Sequence, residues 1–396
     1  MNPSEVSNSS CRHRNDLHVT SRGLPSHHIM FLKTHKTGSS TFINILFRYG
    51  DRRNLTFVLG PGHLNWPQRF RISSALPIHR QPNILCSHTR FNKKPLNWLF
   101  PPETSKYVTI LRNPVDNFES IFNYYHLGTQ FGLGTDPVVS LEKFLERPSS
   151  YYYTSGKFVP EVFSSRNPMM FDLGLSLRCF QNYTAVTDYI NFLNKEFDLV
   201  MIMDYFDESL VLLKRLLGWD IEDILYVKVN ERLGKEKAFH LSDRVQENIK
   251  RWNMADVLLF NYFNATFWEK VEMEGSGFYE DLSAFRKKRL KLEQLCFTSY
   301  GTEMQRMWGR KFAKGYSIRN DLNSSFKYVC NHLIKTENSY LDALRKKRWD
   351  ELASEVEEQT KIDDLISWDE AKDLQYVPAE TIHGRTGQKI IMGSAP

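Results

Sequence analysis

The sequence predicts an α/β fold built on a mainly parallel sheet flanked by helices, and three patterns predict it. Short apolar runs alternate with amphipathic stretches through the first two thirds, a polar Lys- and hydroxyl-rich segment joins the first run to a helix, and the last third turns helical. In such sheets ligands sit beyond the carboxyl ends of the strands, so the loops that follow the runs are where chemistry is expected.

The first run is Ile29-Met30-Phe31-Leu32, a strand by its unbroken apolar character. Residues 39–49 follow as a helix with Phe42, Ile43, Leu46 and Phe47 on one face. Residues 83–87 and 107–111 are two further β-rich runs, the second leading into Pro114 and a helical pattern through His126. Residues 199–203 form a fourth strand before a helix over 208–217, and residues 224–229 a fifth. Helical periodicity returns over 244–263, 281–295, 324–333 and 339–353. The basic runs at 286–289 and 345–348 lie on these helices and read as solvated faces.

Residues 1–27 carry Asn, Ser, His, Arg and Pro without periodicity and are expected to form a disordered stem. The folded domain is expected over 28–360, with a loosely ordered tail over 361–396; no internal repeat is present.

A chain of 396 residues, 41% hydrophobic and 25% charged, is long enough to bury a sizeable core. Its formal net charge of +6 suits an anionic cofactor as readily as nucleic acid or anionic lipid, so charge alone selects no partner. The 13% aromatic content fits sugar handling and fits a Phe-rich core equally. Five cysteines, Cys11, Cys86, Cys179, Cys296 and Cys330, form no CxxC pair and no Cys/His cluster of zinc spacing, so no metal site is expected. Asn8, Asn54, Asn182, Asn264 and Asn323 each head an N-x-[ST] triplet, which leans towards secretory passage. No stretch of 18 apolar residues and no signal-peptide core accompanies them.

The segment Lys33, Thr34, His35, Lys36, Thr37, Gly38, Ser39, Ser40 and Thr41 opens directly into a helix. Consecutive backbone N–H groups, a helix N-terminus, lysines and hydroxyls are what an anion needs. An ordinary helix capped by Ser39 is the competing reading. The segment is not a Walker A loop, because Lys36 precedes Gly38 instead of following a glycine, and no acidic magnesium partner is evident. A second motif, Arg112-Asn113-Pro114 with Ser120 eight residues after Arg112, closes a strand and opens a helix; the Arg can fork onto a phosphate and the Ser donate to it.

Together these residues resemble the 5'-phosphosulfate and 3'-phosphate motifs of Golgi sulfotransferases. More closely, residues 31–41 (FLKTHKTGSST), Cys86-Ser87-His88-Thr89-Arg90-Phe91, Phe171-Asp172-Leu173-Gly174 and residues 204–219 (DYFDESLVLLKRLLGW) resemble the galactose 3-O-sulfotransferases, over residues 29 to about 343. The resemblance implies a P-loop-like sulfotransferase fold and a phosphoadenosine phosphosulfate (PAPS) donor, with no metal required. It implies transfer of a sulfuryl group to the 3-hydroxyl of a galactose in a glycolipid or glycoprotein glycan. Lys36 then stabilises charge on the transferring group. His88, at a strand end and followed by Phe91 as in the bases of uronyl 2-O-sulfotransferases, is the candidate base, with His35 its rival. Arg90, Phe91, Tyr124, Tyr125 and His126 are the expected acceptor contacts. Lys314-Gly315-Tyr316-Ser317 is expected to form a loop closing over the nucleotide, and Cys296 to pair with Cys330. The family's setting implies the Golgi membrane with a lumenal catalytic domain and the anchor outside this chain. No nucleic-acid partner is implied, and a homodimer is left open. A sulfotransferase for another sugar position and a P-loop kinase are the alternatives.

Overall fold

Four strands, β1 (Ile29–Leu32), β2 (Ile84–Leu85), β3 (Lys106–Leu111) and β4 (Leu199–Ile202), form one parallel sheet in the order β2-β1-β3-β4. The computed structural model describes residues 24–62, 64–78, 80–154, 160–228, 241–306 and 312–374. It divides the chain into two compact units, Met1–Leu344 and Arg345–Pro396. All four residues of β1 are fully buried, as its unbroken apolar run requires of a central parallel strand covered on both faces.

The helices of the sheet domain are α1 (Ser39–Arg52), α2 (Lys93–Leu99), α3 (Pro114–Tyr124), α4 (Leu127–Gln130), α5 (Pro137–Glu146), α6 (Pro148–Thr154), α7 (Pro160–Phe163), α8 (Pro168–Asp172), α9 (Tyr183–Glu196), α10 (Phe206–Leu217) and α11 (Ile221–Ile224). After them come α12 (Asp243–Trp252), α13 (Met254–Met273), α14 (Ser276–Cys296), the antiparallel strands β5 (Phe297–Arg306) and β6 (Phe312–Ile318), α15 (Ser324–Ile334) and α16 (Glu337–Leu374). Helices α10 and α13 pack on β4, and α13 also meets α8 and α9. A second apolar cluster joins α3, α5 and α12 through Phe118, Phe122, Phe144 and Trp252. A third surrounds the Cys296–Cys330 disulfide with Phe297, Tyr316 and Leu333.

The α/β architecture and the parallel sheet are those the sequence predicts. Three local expectations are corrected. Residues 224–228 form no strand: Asp220 and Asp223 make a reciprocal capping box that nucleates the short helix α11, and the chain runs on as coil to Lys228, with Val229 outside the described residues. The helix expected over 244–263 is two helices broken at Asn253. That side chain donates to the Ile249 carbonyl at 3.0 Å and accepts from the Asn167 N–H at 2.7 Å, so it serves a loop as well as its own helix. Residues 314–317 are part of β6, paired to β5, not a loop.

The basic run on α14 is solvent-exposed, as read, and also pairs with acids: Arg286 with Asp207 and Glu208, and Lys288 with Glu222. Exposed pairs of this kind are worth roughly 0.2–1 kcal/mol each, so they orient α14 more than they hold it. No described helix is long and apolar enough to cross a membrane.

Candidate active site

The segment between β1 and α1 turns twice through the left-handed region, at Lys36 (φ 57°) and at Gly38 (φ 74°). Gly38 is the residue preceding α1, and no side chain caps that helix; the competing reading of a Ser39 cap is not met, because Ser39 Oγ donates instead to the Thr34 carbonyl at 3.0 Å. Within the first helical turn the Thr41 N–H bonds back to the Gly38 carbonyl at 3.1 Å, while the N–H groups at the start of a helix and the positive end of its dipole suit an anion. Thr34 Oγ1 donates to the Ile110 carbonyl at 2.5 Å and lies 2.8 Å from Thr37 Oγ1, which ties the loop to β3. A Cβ at Gly38 would lie 2.1 Å from Met203 Sδ, just past β4, so the Met203 side chain would have to move, and the left-handed φ disfavours any side chain there. Lys36 Nζ sits 3.7 Å from the centroid of the Tyr124 ring, a cation–π contact that presents the ammonium beside the loop.

The loop also carries a histidine that is held from both sides. Asp172 Oδ2 accepts from the His35 backbone N–H at 2.9 Å and lies 2.8 Å from His35 Nδ1, while Asp172 Oδ1 accepts from Trp66 Nε1 at 3.0 Å. With Nδ1–H donated to the carboxylate, Nε2 is the nitrogen left with a lone pair. The His35 ring stacks on His88 with centroids 4.0 Å apart and 19° between planes, and Trp66 flanks it at 4.5 Å. Asn117, from α3, donates to the His35 carbonyl at 2.9 Å. Asp172 is placed by α8, whose opening N–H groups at Met169 and Met170 bond to Asp256 of α13 at 3.1 and 2.8 Å. Burial pushes the Asp256 carboxyl up to about 7, against the pull of those two N–H groups.

Arg112 follows β3 directly, and its Nη1 donates to the Lys36 carbonyl at 3.2 Å, so the second motif and the first loop are in contact. Asn113, next in line, donates its N–H to Asp204 Oδ2 at 3.1 Å and accepts from the Val115 N–H to cap α3. Asp204 is thus bonded to this turn. Ser120 lies on α3 and is 3% exposed. Thr41 and Ser40 lie in the first turn of α1, and Tyr125 approaches His35 with centroids 6.4 Å apart.

Four expectations change. Lys33 is 2% exposed and bonds both oxygens of Glu337 at 2.6 Å, so its charge is already matched by a carboxylate of the chain. Arg90 donates to the Phe171 carbonyl at 2.7 Å and the Leu175 carbonyl at 2.5 Å, over the Phe171 ring; burial, with Arg69 nearby, lowers it to about 10. Its guanidinium is committed to the backbone at and just after the end of α8, not to an acceptor. Phe91 is 2% exposed among Phe192 and Phe197, a core residue. His126 is exposed in the left-handed residue before α4 and has no described contact with the loop. The sequence reading gave no role to Trp66, Asn117, Asp172 or Glu337; only Asp172 stood in a segment it quoted, and nothing local marks the other three. Among the described residues no group of His, Cys, Asp and Glu could hold a metal ion.

Known proteins are similar to this chain in sequence. The profile of the galactose-3-O-sulfotransferase family matches residues 4–348. Galactose-3-O-sulfotransferase 3 of Mus musculus is 39% identical over 278 residues, which is 68% of this chain and 63% of that protein, so the match spans under two thirds of that relative's length. Human galactosylceramide sulfotransferase is 32% identical over 341 residues, 82% of this chain and 79% of the relative. Galactose-3-O-sulfotransferase 2 of Mus musculus is 33% identical over 342 residues, 80% and 84% of the two chains. The profile match over most of the chain and these identities show that this chain belongs to the galactose-3-O-sulfotransferase family.

Proposed function

We propose that this protein transfers a sulfuryl group from PAPS to the 3-hydroxyl of a terminal galactose. The observation that carries the reading is the uncapped α1 N-terminus with Lys36 beside it and an imidazole pair next door: an anion cradle adjoining a proton acceptor. Family membership supports the galactose acceptor, since the relatives' names specify galactose and galactosylceramide.

In the reaction the galactose O3 attacks sulfur, an O–S bond forms, and the S–O bond to the 5'-phosphate of the donor breaks. The hydroxyl proton goes to a histidine, and the bond electrons go to the departing adenosine 3',5'-bisphosphate. The loop N–H groups and Lys36 stabilise charge on the transferring group and the leaving oxygen, where fixed donors act without reorganising. Arg112, bonded to the loop, and Ser120 on α3 are assigned to the 3'-phosphate. His88 is the base in this reading. A second reading gives that task to His35, and the Asp172 hydrogen bond favours it, because an acid-oriented imidazole is the usual arrangement of an activated base. Trp66, Tyr124 and Tyr125, half-buried around His35, are the aromatic faces offered to the sugar.

The Cys296–Cys330 disulfide and the sequons support a lumenal setting in the Golgi. Two measurements test the donor and the base. Thermal stabilisation by adenosine 3',5'-bisphosphate without magnesium is expected, whereas stabilisation only by ATP with magnesium would return the kinase reading. His88→Ala is expected to lose at least about a hundredfold in turnover with nucleotide binding intact. Near-normal turnover in that variant, with the loss falling on His35→Ala, assigns the base to His35.

A further inference from the structure

Lys33 opens the donor loop, yet the residue is 2% exposed and its ammonium is clasped by both oxygens of Glu337, 304 residues away in sequence. No other partner for Lys33 is found among the described residues. The carboxylate is not a chance arrival. Glu337 opens α16, where the Thr336 hydroxyl accepts from the Ser339 N–H at 3.3 Å. The turn before it is pinned to α1 by Asn44, which donates to the His332 and Lys335 carbonyls, each at 3.0 Å. Tyr340 stacks on Phe47 of α1 with centroids 5.0 Å apart, and Cys330 ties α15 to the end of α14. Glu337 also bears on the site beyond Lys33: it contributes to raising the phenol of Tyr124, the ring that carries Lys36, after burial itself.

A carboxylate fixed inside an anion cradle opposes the anion the cradle is built for. It also meets a need, because a buried ammonium with no counter-charge is strongly disfavoured. A group that matches Lys33 when the cradle is empty and is itself 24% exposed to solvent satisfies both constraints.

We infer that Glu337 is a residue of the donor site: it holds Lys33 while the loop is empty and yields it to the sulfonate or phosphate that enters, so that donor binding and product release exchange one anion for another on Lys33. This rests on the sulfotransferase reading for the identity of the anion. The exchange weakens nucleotide binding by design, which favours release of the bisphosphate product.

Calorimetric titration of the full chain with adenosine 3',5'-bisphosphate, and separately with inorganic sulfate, tests it on the wild type, Glu337→Gln, Lys33→Met and the double variant. Glu337→Gln is expected to bind the nucleotide roughly tenfold tighter, the effect of removing one nearby like charge, and to lose most of that gain in the Lys33→Met background. A Glu337→Gln variant that binds equally or more weakly, or whose gain is unchanged without Lys33, overturns the inference. Melting of each variant with and without ligand identifies one that fails to fold, and Glu337→Asp, which keeps the charge, must then stay near wild-type affinity. A wild type that binds no nucleotide refutes the donor reading instead, and the sulfate titrations then decide the Glu337 inference alone.

Discussion

Lys36 adopts φ 57°, a conformation that side chains with a Cβ avoid, in a loop where Gly38 two residues on adopts φ 74°. The lysine is held there by what surrounds it: Arg112 on its carbonyl and Tyr124 beneath its ammonium. Such strain costs of order 1–3 kcal/mol and persists at positions that work. Gly38→Ala adds a second strained residue and a Cβ against Met203, so it is expected to lower stability in urea by about 1–2 kcal/mol and to weaken nucleotide binding. Lys36→Met, which keeps length and loses charge, is expected to lower turnover far more than it lowers stability, read as kcat against the urea midpoint. The loop was legible in the sequence because its residues are neighbours. Its partners were not: Asp172 reaches His35 across 137 residues and Asn117 across 82, and no spacing rule links them.

Helix α8 shows how an element a turn and a half long can carry a site. Its opening N–H groups, which such a short helix cannot satisfy itself, go to Asp256, and the helix ends on Asp172. Because burial raises the Asp256 carboxyl to about 7, the folded chain keeps a proton that the unfolded chain releases near its ordinary value of 3.8. Stability from this group is therefore complete below that ordinary value, falls as pH rises through the interval to about 7, and is level above it. Urea midpoints between pH 5 and 8 should fall more steeply in the wild type than in Asp256→Asn, and equal slopes would contradict the assignment. The sequence pattern read α12 and α13 as one helix because Asn253 breaks the chain without breaking the apolar period. It missed β5 and β6 because the hairpin carries register shifts and a bulge that blur alternation. The disulfide at the foot of that hairpin closes a separation of 34 residues, and Cys330→Ser is expected to cost about 3–4 kcal/mol on the chain-entropy account. Thiol titration of the denatured, unreduced chain should then find three of its five cysteines reactive.

At the scale of the whole molecule, a parallel sheet brings two loops that follow β1 and β3 to one edge, and Arg112 bonded to Lys36 is the point where they meet. This much followed from strand runs alternating with helices, since ligands in such sheets gather beyond the strand ends. The acceptor side did not follow. Arg90 and Phe91 have the chemistry of sugar contacts, but the fold spends one on carbonyls and the other on the core, while Trp66 arrives from a segment with no regular structure. The central claim is that the chain moves a sulfuryl group from PAPS to galactose O3. Incubation with sulfur-labelled PAPS and a panel of β-galactosides, galactosylceramide and lactosylceramide among them, followed by linkage analysis of the product, measures it directly. Label on the galactose 3-hydroxyl, retained in the presence of a metal chelator, is the predicted result; label at another position, or transfer only from ATP with magnesium, would contradict it.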